Sequence, residues 1–406
     1  MIEIGQALEI IDREVSALKT EIIPIETSVG RIIAKEILAV YNLPSFDNSA
    51  MDGYAVKATM EGLTLPVRGT IFAGDRDDIT LDETAIVKIM TGAPVPQGCN
   101  AIVPIEEVTI EANADVVLPA NIKEHQHVRF SGEDISVGDT LIKAGEKLVG
   151  YHTALLASQG ISHISVYRKP RVAVFATGEE LKMHFETVQS HQIYNSNTPT
   201  FLARAKEFGA EVSFIGSAKD NLEDIQSHIE ACLDADLIVT SGGVSVGDAD
   251  FTREAFDAFD MQRLFEKINI KPGKPTTLGK IGKTWVLNLP GNPLAALLNF
   301  EIFGSKLLLK LSGNRREHLG LIYTKMAEAI KIKPGRVTVL PGYWDGEGFT
   351  PTPKRSPGMI SPLIESNAMV ILDQTVSTIE MGQEIRILSL HSQCSSDKKL
   401  SIITSM

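Results

Sequence analysis

The feature that most constrains this chain lies between Pro170 and Asn314, where short, continuously apolar runs alternate with helix-like stretches. RVAVFA, EVSFIG, DLIVT and TWVLNL read as strands, each followed by a polar loop. A strand that is apolar on both faces has to be covered on both, and strands separated by helices of about 10–15 residues pair in parallel. The expectation for 170–314 is an α/β domain on a parallel sheet. Its first helix should start near Pro199, since proline suits the first helical turn, and end at Gly209. Ligands of such sheets collect beyond the carboxyl ends of the strands. TGEE, AKDN, SGGVSVGDAD and PGNP all follow strands and should share one rim.

The flanking sequence has a different rhythm. Ile4, Leu8, Ile11, Val15 and Leu18 step by four and three, which lines one face of an opening helix. From Tyr41 to about Gly145, β-rich runs such as AIVKIM and AIVPIEEVTI are broken by Gly, Pro, Asn and Asp, as in an inserted β domain. VGYHTALLASQGISHISVYRK returns to helix and strand and is expected to pack on the opening helix as a stalk. The last 90 or so residues carry EIRIL and AMVIL among turns, which fits a small barrel or sheet, and after Leu390 the pattern is lost in what reads as a loose tail.

With 406 residues the chain can hold two to four domains of ordinary size. Its net charge of −12 repels a phosphate backbone, so nucleic acid is excluded as a main partner and any bound anion needs a local cationic cluster. Cys99, Cys232 and Cys394 form no CxxC pair, which argues against a disulfide framework or a structural zinc site and fits a reducing cytoplasm. No basic, apolar leader opens the sequence, and no clean run of about 18 apolar residues marks a membrane span.

Several loops could carry chemistry. In SGGVSVGDAD, Gly242, Gly243 and Gly247 allow close backbone approach, and Ser241 and Ser245 could hold phosphate oxygens. Asp248 and Asp250 beside them would repel that phosphate unless a hard cation such as Mg2+ lies between. Taken alone, the same loop reads more readily as a glycine turn with solvated acids ahead of a helix at Phe251, and the shared rim reverses that preference. IKPGKP supplies the cationic cluster: Pro272 and Pro275 stiffen a turn that presents Lys271 and Lys274. Each ammonium–oxyanion contact grosses about 4 kcal/mol at 4 Å and an effective dielectric of about 20, before desolvation. FDNSAMDGYAV, MTGAPVPQG and SGEDISVGD each read, in isolation, as turns. No GxSxG elbow or GxxxxGK[ST] loop is present, which argues against an α/β-hydrolase and a common NTPase.

Taken in order, FDNSAMDGYAV, MTGAPVP, GEDI, TGEEL with IYNSN, SGGVSVGDAD, IKPGKP, LPGNP and GMISPLIESNAMVIL resemble the molybdopterin molybdenumtransferase family, MoeA and the gephyrin E domain. The resemblance implies a multidomain α/β plus β protein, an elongated homodimer. Its stalk would be 1–43 and 137–169, its inserted β domain 44–136, its α/β molybdopterin-binding domain 170–314 and its C-terminal β barrel 315–392, with 393–406 as tail. The implied reaction inserts molybdenum from molybdate into adenylylated molybdopterin, releasing AMP with the assistance of Mg2+.

The resemblance also implies roles. Glu180, Asp220 and Asp250 would surround the metal, and Lys271 and Lys274 would clamp molybdate, helped by Ser245, Arg336 and Ser361. Thr177, Ser241, Gly242, Gly243, Pro290 and Pro293 would contact the substrate. Asp52, Thr91 and Asp134 would complete the site from the partner subunit. The molybdopterin adenylyltransferase and molybdoenzyme-maturation proteins are the implied partners, and the alternatives are an interaction scaffold of the gephyrin kind and a different nucleotide-processing enzyme. Two positions depart from the family: Asn195 stands where relatives often carry Asp, and Phe130 where many carry Arg.

Overall fold

The computed structural model describes residues 1–76, 80–242, 251–390, 395–396 and 403. They divide into two compact units, Met1–Lys35 with Ala144–Thr153 and Ser162–Met406, and Glu36–Lys143 with Ala154–Ile161. The stretches expected to form a stalk are thus shared between the two units.

In the first unit, six strands form one sheet in the order Glu211–Ala218, Arg171–Thr177, Leu237–Ser241, Thr284–Leu289, Thr277–Ile281 and Gln262–Glu266. The first four, which are the apolar runs of the sequence, are parallel. The last two are antiparallel additions at one edge. Helices α1 (Ile4–Glu14), α3 (Asn197–Glu207), α4 (Leu222–Cys232), α5 (Phe251–Asp257), α6 (Pro293–Asn299) and α7 (Ser305–Leu311) belong to this unit, while α2 (Gly150–Ser158) is divided between the two.

Period-two geometry sends alternate strand residues into two separate cores. Val172, Val174, Leu237, Val239, Leu287 and Leu289 pack with Ile4, Ile11, Phe201, Leu298 and Phe303. Ala173, Phe175, Ile238 and Val286, one residue out of phase, pack with Ile225, Ile229 and Phe256. Each fully buried branched side chain contributes about 1.5–3 kcal/mol relative to exposure, so a sheet stocked on both faces is committed to helices on both.

α1 buries the expected stripe, but against α7 and the α/β core instead of the 149–169 segment. An ion pair from Asp12 to the buried Lys306 of α7 fixes that choice, and Leu18 N donates to Leu311 O at 2.9 Å. Lys306 Nζ also donates to Glu317 O at 2.7 Å and to His318 Nδ1 at 3.1 Å. Among the described residues, Asp12, Glu317 and His318 are the one group of three with metal-ligand spacing, and the chain's own ammonium fills it. Strand Thr20–Pro24 pairs antiparallel with His163–Tyr167.

The C-terminal strands close into a barrel. Val337–Trp344 pairs with Gly348–Pro351, that strand with Leu321–Met326, and the ring continues through Glu384–Ser389 and Ala368–Leu372 back to Val337–Trp344. Met326, Leu340, Phe349, Val370, Ile385 and Ile387 fill it. Ile270–Lys271 joins its outside, parallel to Val337–Trp344. Of the tail read as loose, Ser395–Ser396 pair with His318–Leu319.

The second unit is built on a four-stranded sheet in the order Val67–Ile71, Ile86–Ile89, Gly53–Val56 and Ala101–Pro104. Apart from the end of α2, its described helical segments are single 3-10 turns. The chain enters it at Ile37–Leu38 and leaves at Thr140–Ile142, two strands that pair antiparallel. No helix among the described residues is long and apolar enough to cross a membrane.

Candidate active site

A cleft of about 760 Å³ opens beyond the carboxyl ends of the parallel strands. That volume suits a small molecule or cofactor. Thr177 and Gly178 line it from the end of one strand, Ser241 and Gly242 from the next, and Pro290, Gly291, Asn292 and Pro293 from the turn into α6. Pro275 joins from the IKPGKP turn, and Gly358 and Ile360 from the segment after the second barrel strand. Leu294 N donates to Pro357 O at 3.0 Å, which ties that segment to the start of α6. Gly242 has φ +97°, and a Cβ on it would lie 2.5 Å from Thr177 O, so glycine is required where these two strand ends meet.

Thr177, Glu180, Asp220, Ser241, Gly242, Pro290 and Pro293, seven of the residues singled out in the sequence, therefore share one cleft. Gly178 N donates to Ala218 O at 3.2 Å, drawing the loops that bear Glu180 and Asp220 together. Both carboxylates are exposed on the rim. Gly243, Ser245, Asp248 and Asp250 lie outside the described residues.

Lys271 and Lys274 are exposed at either end of a turn adjoining the cleft, which Pro275 lines but neither lysine does. The turn hangs on one buried amide. Asn299, the last residue of α6 and 0% exposed, donates from Nδ2 to Pro272 O at 3.2 Å and to Ala295 O at 2.7 Å. Its Oδ1 accepts from Thr276 Oγ1 at 3.1 Å, and Thr276 Oγ1 also donates to Gly273 O at 2.9 Å. The helix that follows the cleft's PGNP wall thus shapes the lysine turn. Arg336 is exposed one residue before Val337, the parallel partner of Ile270, so the barrel brings it near the same turn. Ser361 is exposed beside Ile360 of the cleft lining.

Of the residues assigned to the second unit, Asp52 and Thr91 are paired. Asp52 Oδ1 accepts from Thr91 N and from Thr91 Oγ1, both at 2.7 Å. The Thr91 amide first, and then its hydroxyl, hold the Asp52 carboxyl below its ordinary pKa. Asp134 is exposed, with its backbone N bonded to Leu43 O at 3.0 Å. Phe130 lies edge-on to His125 with centroids 5.2 Å apart.

Other polar groups of the cleft had no assigned role. Asn195 is buried, donates from Nδ2 to Thr198 Oγ1 at 2.9 Å and accepts from Thr198 N at 3.1 Å. Both ends of its amide are spent on the start of α3. Asn197, two residues on, donates to Gly291 O at 2.8 Å and Ser241 Oγ at 3.3 Å. The signal for it was the IYNSN motif itself, of which it is the last residue. Asn299 could have been flagged as the polar interruption in LAALLNF. Burial pushes the Cys99 and Cys232 thiols up to about 12, so neither supplies a thiolate near neutral pH.

Three regions of the chain match known families. Residues 2–160 match the MoeA N-terminal region (domain I and II), residues 173–310 a probable molybdopterin binding domain, and residues 323–390 the MoeA C-terminal region (domain IV). The chain is 35% identical over 381 residues to a molybdopterin molybdenumtransferase of Haemophilus influenzae, covering 91% of this chain and 93% of that one. It is 31% identical over 399 residues to one of Staphylococcus epidermidis, covering 95% of each. Among solved structures, a molybdopterin biosynthesis moeA protein from Pyrococcus horikoshii superposes with a TM-score of 0.87 at 30% identity, covering 97% of this chain and 100% of that chain.

Proposed function

The chain belongs to the MoeA family of molybdopterin molybdenumtransferases, and from that premise we propose that it transfers molybdenum from molybdate to adenylylated molybdopterin and releases AMP, as a step of molybdenum cofactor biosynthesis. The observation that carries this reading is the cleft at the strand ends, where neutral amides and hydroxyls line the wall, carboxylates stand on the rim and a lysine turn adjoins. A pterin needs the first, a cation that neutralises a phosphoanhydride needs the second, and a tetrahedral dianion needs the third.

Glu180 and Asp220 are hard oxygen donors on that rim, which fits Mg2+, and with Asp250 they are the residues that would hold it. When bound, Mg2+ supplies positive charge against the phosphoanhydride oxygens. Ser241 and Gly242 bind and orient the substrate at the end of their strand, and Gly243 and Ser245 are the further substrate-binding residues of the same motif. Lys271 and Lys274 attract molybdate, and Arg336 and Ser361 add to that field from the C-terminal segment. The chain acts as a homodimer in the cytoplasm, with Asp52, Thr91 and Asp134 reaching the partner subunit's site. It receives its substrate from the molybdopterin adenylyltransferase and hands its product to molybdoenzyme-maturation proteins.

The test is a purified insertion assay with adenylylated molybdopterin, molybdate and Mg2+. Asp220→Asn is expected to slow AMP release by about a hundredfold, the scale of losing a charged group at a reacting centre. Lys271→Ala is expected to raise the molybdate concentration at half-maximal rate about tenfold, with the fold intact because an exposed loop lysine carries little stability. Unchanged AMP release in the first variant and unchanged molybdate dependence in the second would sink the reading.

A further inference from the structure

Among the described residues, two polar atoms in the wall of the cleft have no partner. Asn197 is 6% exposed, and its amide nitrogen is committed to Gly291 O and Ser241 Oγ. A backbone carbonyl can only accept, so the bond to Gly291 fixes which end of the amide is nitrogen. The other end, Asn197 Oδ1, is buried without a hydrogen-bond partner. Thr177 is 2% exposed and its Oγ1 is in the same condition. The two flank the end of one strand: Ser241 receives the Asn197 amide, and a Cβ on Gly242 would come 3.0 Å from Thr177 Oγ1. Both residues line the cleft. Buried polar atoms are nearly always paired, and an exception in a cleft wall marks where a ligand brings the partner.

We infer that Asn197 Oδ1 and Thr177 Oγ1 accept hydrogen bonds from a donor edge of the substrate, the ring N–H and amino groups of its planar heterocycle, and so determine specificity. The inference rests on the function proposed above. An amide oxygen cannot donate, so a phosphate or molybdate oxygen set against Asn197 Oδ1 would meet oxygen with oxygen. This corner of the cleft therefore sorts the neutral, nitrogen-rich end of the substrate, and the anionic groups are held elsewhere. A heterocycle bearing carbonyls in place of its donors leaves Asn197 Oδ1 unpaired, though the Thr177 hydroxyl could turn to donate, and is discriminated against as usual for a buried polar site.

The experiment measures binding of molybdopterin, and separately of molybdate, to the full-length parent, Thr177→Val and Asn197→Ala, with thermal unfolding alongside. Valine keeps the shape of Thr177 and removes a hydroxyl that bonds to no other described residue. The expected result is a Tm for Thr177→Val equal to or above that of the parent, molybdopterin binding weaker by roughly tenfold, as for one lost hydrogen bond, and molybdate binding unchanged. Asn197→Ala is expected to weaken molybdopterin binding at least as much. Parental molybdopterin affinity in Thr177→Val, or a fall in its Tm, overturns the inference while leaving the proposed function standing. A parent protein that binds no molybdopterin overturns the proposed function, and the inference with it.

Discussion

At Gly273 the backbone turns with φ +103°, and a Cβ there would lie 1.9 Å from Asn299 Nδ2. That nitrogen is held by two carbonyls and has nowhere to go. Gly273→Ala is therefore expected to cost about 1–3 kcal/mol of stability, from left-handed backbone strain and the displaced amide, read in a denaturant titration. It should also weaken molybdate use as Lys271→Ala does, since the whole turn shifts. At Asp52 the sign of the pH effect follows from its lowered pKa. Its bonds to Thr91 contribute stability that is fully present above the ordinary Asp value of 3.8 and is lost as pH falls through the lowered folded value. Thr91→Val keeps the stronger amide bond and loses the hydroxyl, so the Asp52 titration followed by NMR should move part of the way back up. Thr177, Glu180, Asp220 and Ser241 were legible because they sit in loops at strand ends. Asn197 and Asn299 left a signal in the sequence, a motif and a polar interruption, but not their roles, which depend on groups distant in sequence.

Lys306 shows how one pair can join elements. It is 1% exposed, burial pushes its pKa down, and it spans α7 to Asp12 of α1 and to the chain at Glu317 and His318. Lys306→Met is expected to destabilise the protein by about 3–5 kcal/mol, since it removes the ammonium paired with the half-buried Asp12 carboxylate. Adding Asp12→Leu to the same chain should recover much of that loss, a comparison made by unfolding the two single variants and the double. A double variant no more stable than Lys306→Met alone would show that the pair is not what joins these helices. The same element shows a limit of sequence reading. The stripe from Ile4 to Val15 states that α1 must bury a face, but periodicity carries no information about what covers it. Three of the four parallel strands were legible because both their faces are apolar, and the fourth, the edge strand Glu211–Ala218, because it falls in the same strand–helix rhythm. Thr277–Ile281 and Gln262–Glu266 were missed because neither is continuously apolar: Gln262–Glu266 is the edge strand, and Thr277–Ile281, one strand in, is only partly buried.

Over the whole molecule, every described residue lining the cleft belongs to the unit that contains the α/β sheet and the barrel, whereas Asp52, Thr91 and Asp134 belong to the other. If those three serve the partner subunit's site, an Asp52→Ala chain and an Asp220→Asn chain, each inactive alone, should regain activity when mixed and reassembled. Random pairing puts half of the dimers in the mixed form, each with one intact site of two, so about a quarter of parental activity is expected. No recovery after subunit exchange, verified by mass, would rule out a shared site. A last consequence belongs to Asn299. Because this one carboxamide serves both the helix behind the PGNP wall and the lysine-bearing turn, the pocket and its electrostatic bait are geared together. Selection for a larger oxyanion would have to change both at once, and the first escape from that coupling should appear as a replacement of Asn299 itself.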